Sequence, residues 1–162
     1  MGVDLFIRPI RPEDAPLLTT LFDSLSPRSV YLRFFTPMKH LSHSMLVRFT
    51  QIDYDREIAL VAFMDAPSQE KMIGVARIIS ERNLTKAEFS IIVADEWHGK
   101  GIGAALLQKC LIKAGNRGIE LIHGTVLSEN TQMLALGKKL GFQRKKVLGA
   151  NEYELKINLR KA

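Results

Sequence analysis

The first third of the chain has the spacing of amphipathic helices. Apolar residues recur three and four positions apart, which predicts helices over residues 14–25, from residue 27 onward and over residues 42–50. Pro27 suits the first position of its helix, and Asp14 is expected to be an N-cap or a first-turn acid. The helix that begins at Pro27 is expected to bury Tyr31, Phe34 and Phe35.

Runs of strand length replace the helical spacing from residue 58 onward, after a short first strand over residues 5–7. The segments 58–63, 72–80 and 87–94 are apolar and are separated by turn-forming residues. This pattern is typical of an antiparallel meander.

The last part of the chain alternates helix and strand. Residues 103–115 predict a helix, residues 120–126 a strand, and residues 131–140 a helix that ends at a glycine. Two further strands, over 142–148 and 153–159, form a terminal hairpin. Because a strand–helix–strand unit pairs its strands in parallel, the prediction is an α/β (α+β) fold: a mixed, mostly antiparallel central sheet of six to seven strands flanked by helices, with a central parallel pair.

Composition fits a single globular domain over residues 1–162. The chain is 46% apolar and 25% charged, and no apolar stretch reaches the ~20 residues that cross a bilayer, so no membrane partner is expected. The N-terminus lacks the basic cap and the cleavage site of a signal peptide. The one cysteine, Cys110, excludes an internal disulfide and indicates a cytoplasmic protein.

The formal net charge of +6 does not by itself indicate a nucleic-acid partner. No aromatic residues alternate with the one basic cluster, as a base-stacking platform requires, so no nucleic-acid partner is expected. Histidine and cysteine also lack the spacing of metal ligands, and no metal site is expected. The basic cluster consists of Lys138, Lys139, Arg144, Lys145 and Lys146.

The stretch Trp97-His98-Gly99-Lys100-Gly101-Ile102-Gly103 lies between an apolar strand and an amphipathic helix. Its alternate glycines leave backbone N–H groups uncovered, and the helix that follows adds the positive end of its dipole. A diphosphate could bind there on amides, with Lys100 as an added charge. The spacing differs from the dinucleotide fingerprint and from the P-loop. A tight turn that lets the helix pack closely is the structural alternative.

A second motif, Ser128-Glu129-Asn130-Thr131, precedes a helix that ends in Gly141-Phe142. Together with the glycine loop it resembles the signature of the GCN5-related N-acetyltransferase (GNAT) superfamily, with His98 where glutamine or arginine is usual. The resemblance covers the whole chain and implies the GNAT fold in one acetyltransferase domain.

Segments 8–14, 31–35 and 50–57 are further similar to the acetyltransferase domain of bacterial Pat-type protein lysine acetyltransferases. In many of those proteins the domain is fused to an acyl-CoA-synthetase-like or cyclic-nucleotide-binding region, which is not expected in this chain.

The resemblance implies acetyl-CoA as cofactor and assigns its contacts. The amides from Gly99 to Ala104 would bind the pyrophosphate, and the strand around Ile92 would pair with the pantetheine arm. Asn130 would contact the arm, although asparagine at a helix start also serves as an N-cap, and the two roles can coexist. The cofactor-binding residues assigned in this way are Ile91, Ile92, Val93, His98, Gly99, Lys100, Gly101, Ile102, Gly103, Ala104 and Asn130.

Glu88 is the candidate catalytic residue. A lysine acceptor has an ordinary pKa near ~10.4 and is almost entirely protonated at pH 7, so a base is needed. Strand alternation places Glu88 on one face with Ser90 and Ile92, and desolvation there is expected to raise the pKa of the glutamate. Pat-type enzymes carry their catalytic glutamate at the matching position. A solvent-facing strand acid is the alternative.

Other residues receive structural interpretations. Gly137 stands where a tyrosine often protonates the leaving thiolate in the superfamily, so no general acid is assigned. Cys110 is expected in the core. His98 is expected to position the loop or to be exposed. The acids of segment 53–57 either receive a basic acceptor or cap turns, and turn capping is favoured.

The sequence thus predicts an acetyl-CoA-dependent N-acetyltransferase whose acceptor is a lysine side chain of a protein, such as an acyl-CoA synthetase. A small amine is the alternative acceptor. A non-catalytic module that senses acyl-CoA is the alternative function.

Overall fold

A seven-stranded mixed sheet forms the centre of the computed structural model, which describes residues 5–64, 71–83 and 85–160. The spatial order is β1-β2-β3-β4-β5-β7-β6. Neighbouring strands are antiparallel except β4 and β5, which are parallel. This arrangement confirms the fold class expected from the sequence. The strands are Leu5–Pro9 (β1), Glu57–Met64 (β2), Met72–Ser80 (β3), Lys86–Val93 (β4), Leu121–Leu127 (β5), Gln143–Lys146 (β6) and Glu152–Asn158 (β7).

Five α-helices flank the sheet in the described part of the chain. Side-chain N-caps determine where three of them begin: Ser26 accepts a hydrogen bond from the N–H of Ser29, and Ser42 and Asn130 make the same bond three residues ahead. No helix among these residues is long and apolar enough to cross a membrane. The helices are Ala15–Ser24 (α1), Pro27–Phe34 (α2), His43–Thr50 (α3), Ile102–Asn116 (α4) and Thr131–Leu140 (α5).

Both faces of the central strands are covered, because β2 and β3 carry apolar side chains on each face. On one face Leu60 packs in a cluster with Leu106 and Cys110 of α4. On the other face Phe63 packs in a cluster with Leu18 of α1. The sheet is therefore the middle layer of three, and the loops at the carboxyl ends of β4 and β5 are left to form a site.

Asp14 occupies the N-cap position of α1, as expected, but its side chain does not cap that helix. Its carboxylate instead pairs with the buried guanidinium of Arg8 at 2.7 Å and accepts the N–H of Arg11. The burial expected on α2 is in part wrong. In α2 the buried residue is Val30, whereas Tyr31 and Phe35 are 36% and 39% exposed. Phe35 lies beyond the end of the helix with a left-handed backbone, so it leaves the buried face.

Candidate active site

β4 and β5 separate part-way along their length. Their parallel pairing consists of three residue pairs in the described structure, and the last pair joins Glu88 to His123. Beyond it β4 continues to Val93 and β5 to Leu127 without pairing to each other. The result is a wedge-shaped gap in the sheet that opens toward the carboxyl ends of both strands.

The edge of β4 that faces the gap carries backbone groups without a strand partner among the described residues. Ala94 donates its N–H to the carbonyl of Ile73 on the β3 side at 2.8 Å. Because successive residues of a strand alternate the direction of their N–H and C=O groups, those of Ile91 and Val93 face the gap. Ile91 can therefore pair with the amide groups of a ligand as a neighbouring strand would.

His98 fixes the end of this edge. Its ring Nε2 donates a hydrogen bond to the carbonyl of Val93 at 2.7 Å, which requires the proton to be on that nitrogen. The bond joins the first residue of the glycine motif to the last residue of β4. Of the two roles expected for His98, the structure supports the positioning role.

The glycine loop lies at the open end of the gap. Gly99 and Gly101 have φ angles of 74° and 82°, a left-handed backbone that glycine adopts without strain. α4 begins at Ile102, so the N–H groups of its first turn have no partner within the helix. The helix dipole adds partial positive charge at the same point. These amides and this dipole fit the diphosphate of acetyl-CoA.

Gly103 has a different role from the other two glycines. A Cβ at this position would lie 3.3 Å from Cδ2 of Leu136 and 3.4 Å from Cδ1 of Ile91. Its hydrogen therefore faces side chains of β4 and α5, and the residue permits close packing of the helices on the sheet. The close packing expected under the structural alternative is thus found at Gly103, inside α4. At Gly99 and Gly101 an added Cβ would meet no described atom within 4 Å other than those of the adjacent residues.

A continuous cavity of about 750 Å³ joins the gap to the glycine loop. The structure brings together all of the predicted site residues except Lys100, which is exposed outside the cavity. The predicted residues that line it are Glu88, Ile91, Ile92, Val93, His98, Gly99, Gly101, Ile102, Gly103, Ala104 and Asn130.

Glu88 lies at the narrow end of the wedge. The register with β3 places it opposite Ile79, and the expected alternation along β4 is observed. The expected desolvation is wrong, because the residue is exposed where it borders the open cavity. Glu88 is nevertheless the one acid among the described residues that line the cavity.

Asn130 and Gly137 lie on the α5 side of the site. Asn130 is the N-cap of α5, with its Oδ1 accepting the N–H of Met133 at 3.1 Å, and it also borders the cavity. A Cβ at Gly137 would lie 2.8 Å from Cδ1 of Leu155, so a tyrosine would not fit there. The described residues that line the cavity include no tyrosine. A side-chain proton donor for the thiolate is therefore not found among them.

Cys110 is a core residue, as expected. The residue is fully buried in α4, and burial raises the pKa of its thiol to about 12. A thiol in this environment is not a nucleophile at neutral pH.

The acidic segment that follows α3 forms a turn. Asp53 accepts the N–H of Asp55 at 3.0 Å, and Glu57 accepts the N–H of Asp53 at 3.1 Å. These bonds support turn capping over a role in receiving the acceptor.

Three arginines that the sequence interpretation did not single out line the cavity: Arg33, Arg48 and Arg77, here called the arginine cluster. Arg77 lies opposite Ser90 across the β3–β4 pair, and Arg33 donates a hydrogen bond to Oγ of Ser90 at 3.2 Å. A charged residue inside the apolar run 72–80 was the signal that could have identified Arg77, as it identified Glu88 in β4.

A comparison with known protein families identifies the family of this chain. The profile of the Acetyltransferase (GNAT) family matches residues 26–142. The chain belongs to the GNAT acetyltransferase family. The protein is accordingly an acetyltransferase that uses acetyl-CoA, and both the enzyme class and the cofactor expected from the sequence are confirmed.

Three relatives are similar over most of this chain. Acetyltransferase PA5475 of Pseudomonas aeruginosa is 27% identical over 141 residues, which cover 87% of this chain and 76% of that protein. Acetyltransferase Pat of Mycolicibacterium smegmatis is 27% identical over 141 residues, 86% of this chain but 41% of Pat. This GNAT acetyltransferase thus spans less than half the length of Pat. The crystal structure of the GNAT domain of S. lividans PAT superposes with a TM-score of 0.85 at 27% identity, covering 94% and 89% of the two chains.

Proposed function

We propose that this acetyltransferase modifies the side-chain amine of a lysine in a cytoplasmic protein, such as an acyl-CoA synthetase, with Glu88 as the general base. The observation that supports the proposal is the place of Glu88, at the point where β4 and β5 separate and on the border of the cavity. The similarity to Pat and to the S. lividans PAT domain supports the choice of a protein acceptor.

The cofactor contacts follow from the backbone. The N–H groups from Gly99 to Ala104 would hold the diphosphate at the start of α4. The gap-facing backbone of Ile91 would pair with the amides of the pantetheine arm. Asn130 uses its Oδ1 as the N-cap, which leaves its amide nitrogen to donate to the arm.

The reaction is a direct transfer. The neutral amine attacks the carbonyl carbon of the thioester, a C–N bond forms and the C–S bond breaks. Glu88 accepts the proton that the amine loses. Water supplies the proton to the CoA thiolate, since the described cavity residues offer no tyrosine for this step.

The test is acetyl transfer to two classes of acceptor. Purified acyl-CoA synthetase and a panel of small amines are incubated separately with the protein and acetyl-CoA. Mass spectrometry measures acetyl-lysine in the synthetase and the acetylated product of each small amine. We expect acetylation of defined lysines in the synthetase. Reaction with small amines alone would overturn the protein acceptor and favour the second candidate, an acetyltransferase of small amines.

A further inference from the structure

Arg77 is a largely buried cation that has no ion-pair partner in the described part of the chain. Its residue is 5% exposed, and it lines the cavity. Within the described residues no carboxylate lies within ion-pair distance of it, and no oxygen accepts a hydrogen bond from its guanidinium. Burying a charge without a partner costs free energy, so such residues are rare unless a bound ligand pairs with the charge.

The other two arginines of the cluster add to this charge. Burial and the charges of Arg33 and Arg48 together lower the pKa of Arg77 to about 10, although Glu57 opposes the change. Burial also lowers the pKa of Arg33 to about 10, while Glu88 opposes the change. The three guanidinium groups, contributed by α2, α3 and β3, are therefore close enough to repel one another.

Aromatic stacking holds these side chains without using their hydrogen-bond donors. The guanidinium carbon of Arg77 lies 4.7 Å from the ring centre of Phe49, and that of Arg33 lies 4.6 Å from the ring centre of Phe34. A ring covers a face of the guanidinium, but the N–H groups project in the plane. Apart from the bond that Arg33 donates to Ser90, the donors of Arg33 and Arg77 thus remain available while the rings fix the cations in place.

The charge balance of the cavity indicates what the donors bind. Glu88 is the one acid among the described lining residues, against the arginine cluster and Lys139. An acceptor that carried positive charge alone would be repelled here. An acceptor with an anionic group would relieve the repulsion within the cluster and bring its amine beside Glu88.

The diphosphate of the cofactor is not the group in question. Ser90, which lies between Arg33 and Arg77, is three residues from the end of β4, and the glycine loop begins beyond that end. A strand rises ~3.3 Å per residue, so the cluster and the loop amides are separated by ~10 Å or more.

We propose that the arginine cluster binds a carboxylate of the acceptor, so that the enzyme prefers amines that carry a carboxylate within a few bonds or residues of the reacting nitrogen. The inference rests on the proposed place of Glu88 in the reaction and adds the class of acceptor. The carboxylate is either a free α-carboxylate or the side chain of an acidic residue near the target lysine. Both present the same planar anion to a guanidinium.

The test compares acceptors that differ in one carboxylate. Nα-acetyl-lysine is compared with Nα-acetyl-lysinamide, and a peptide with glutamates beside its lysine is compared with the glutamine version. The reacting ε-amine is the same within each pair. We expect kcat/KM to favour the carboxylate member of one pair by ~10-fold or more, the usual contribution of a charged hydrogen bond. The pair that responds identifies the source of the carboxylate.

Variants connect that preference to the cluster. Arg77→Gln should reduce the preference to less than ~3-fold, and Arg77→Lys should retain part of it. Arg160→Gln is the matched control, because Arg160 is exposed and pairs with Glu120 away from the cavity. If Arg77→Gln does not fold, Arg48→Gln serves instead, since Arg48 is exposed at its end of the cluster. Wild-type protein without a preference, or a preference that survives in the folded cluster variants, overturns the proposal.

A measurement of peptide binding tests this inference independently of the proposed function. Glu88→Gln with CoA is titrated with the glutamate and glutamine peptides in a calorimeter, and tighter binding of the glutamate peptide is expected although turnover is lost. Failure of the protein acceptor or of Glu88 as base would leave the charge preference measurable. Equal binding of the two peptides, together with equal rates for the small pair in wild type, would overturn the arginine cluster alone.

Discussion

Glu88 and His123 form the last residue pair that joins β4 to β5, and beyond them the two strands separate. On its other side Glu88 lies opposite Ile79 of β3. The backbone of the proposed base is therefore held from both neighbouring strands, although its side chain is exposed. An exposed carboxylate on a fixed backbone can meet an incoming amine without rearrangement of the sheet.

Replacing Glu88 with glutamine is expected to lower kcat by ~10²-fold or more, because the amine then lacks its proton acceptor. The affinity for acetyl-CoA should not change, since Glu88 lies at the far end of the gap from the glycine loop. CoA release gives the rate, and calorimetry gives the affinity. Glu120→Gln, at an exposed ion pair with Arg160, is the control and should behave as wild type. Undiminished turnover would remove Glu88 from the mechanism.

Gly101→Ala is expected to raise KM for acetyl-CoA by ~10-fold, because a left-handed backbone costs a side-chain residue ~1–2 kcal/mol and the loop amides move. Gly149→Ala provides a matched control. Its φ is 78°, close to the 82° of Gly101, but it lies in the β6–β7 connection. Both variants should melt at lower temperature, and KM should rise in Gly101→Ala alone. Equal KM values would show that the loop does not hold the cofactor.

Asp14→Asn is expected to lower the free energy of unfolding at pH 7 by ~2 kcal/mol or more, because it removes the carboxylate that hydrogen-bonds the buried guanidinium of Arg8. Urea denaturation measures the difference. Asp23→Asn, at an exposed and loose contact with His40, should change stability by less than ~0.5 kcal/mol.

The contribution of Asp14 should also depend on pH. Burial opposes its ionisation, but hydrogen bonds from Arg8 and from the N–H of Arg11 outweigh burial and hold the pKa below the ordinary 3.8. A lowered pKa stabilises the fold fully above the unfolded value, and the contribution is lost as pH falls through the folded value. The difference in free energy of unfolding between wild type and Asp14→Asn should thus be constant above pH ~5 and decrease below pH ~4. A difference that increases in acid would contradict this assignment.

Cys110 is expected to resist alkylation in the native protein, because its buried thiol has a pKa of about 12. The chain contains one cysteine, so each molecule supplies its own control. Iodoacetamide followed by intact mass should show no label on native protein and one label after unfolding in guanidinium. Rapid native labelling would mean that α4 opens from the sheet.

The parts of the molecule that depend on local spacing were predictable. The glycine loop, the N-cap at Asn130 and the glycine after α5 each follow from residues near one another in sequence, and the parallel pair follows from the helix between its strands. The features that could not be predicted depend on contacts between segments that are distant in the sequence. The burial of Glu88 could not be judged, because exposure depends on how far β5 diverges from β4.

The same limit applies to the charged residues that were missed. Arg8 and Asp14 form a buried pair that looks like an ordinary basic strand end and helix start in the sequence. The arginine cluster joins residues of α2, α3 and β3 that are separated by up to 44 positions in the sequence. Arg77 was visible as a charge within an apolar strand, but its partners in space were not.

β4 and β5 separate at the open end of the gap, where no described strand lies between them. At the other end three residue pairs join the two strands, and Phe89 of β4 packs against Phe142 within the hydrophobic cluster that both sides share. A molecule that fills the open end touches both sides of the sheet. Because it binds the folded state alone, its binding should raise the melting temperature of the protein.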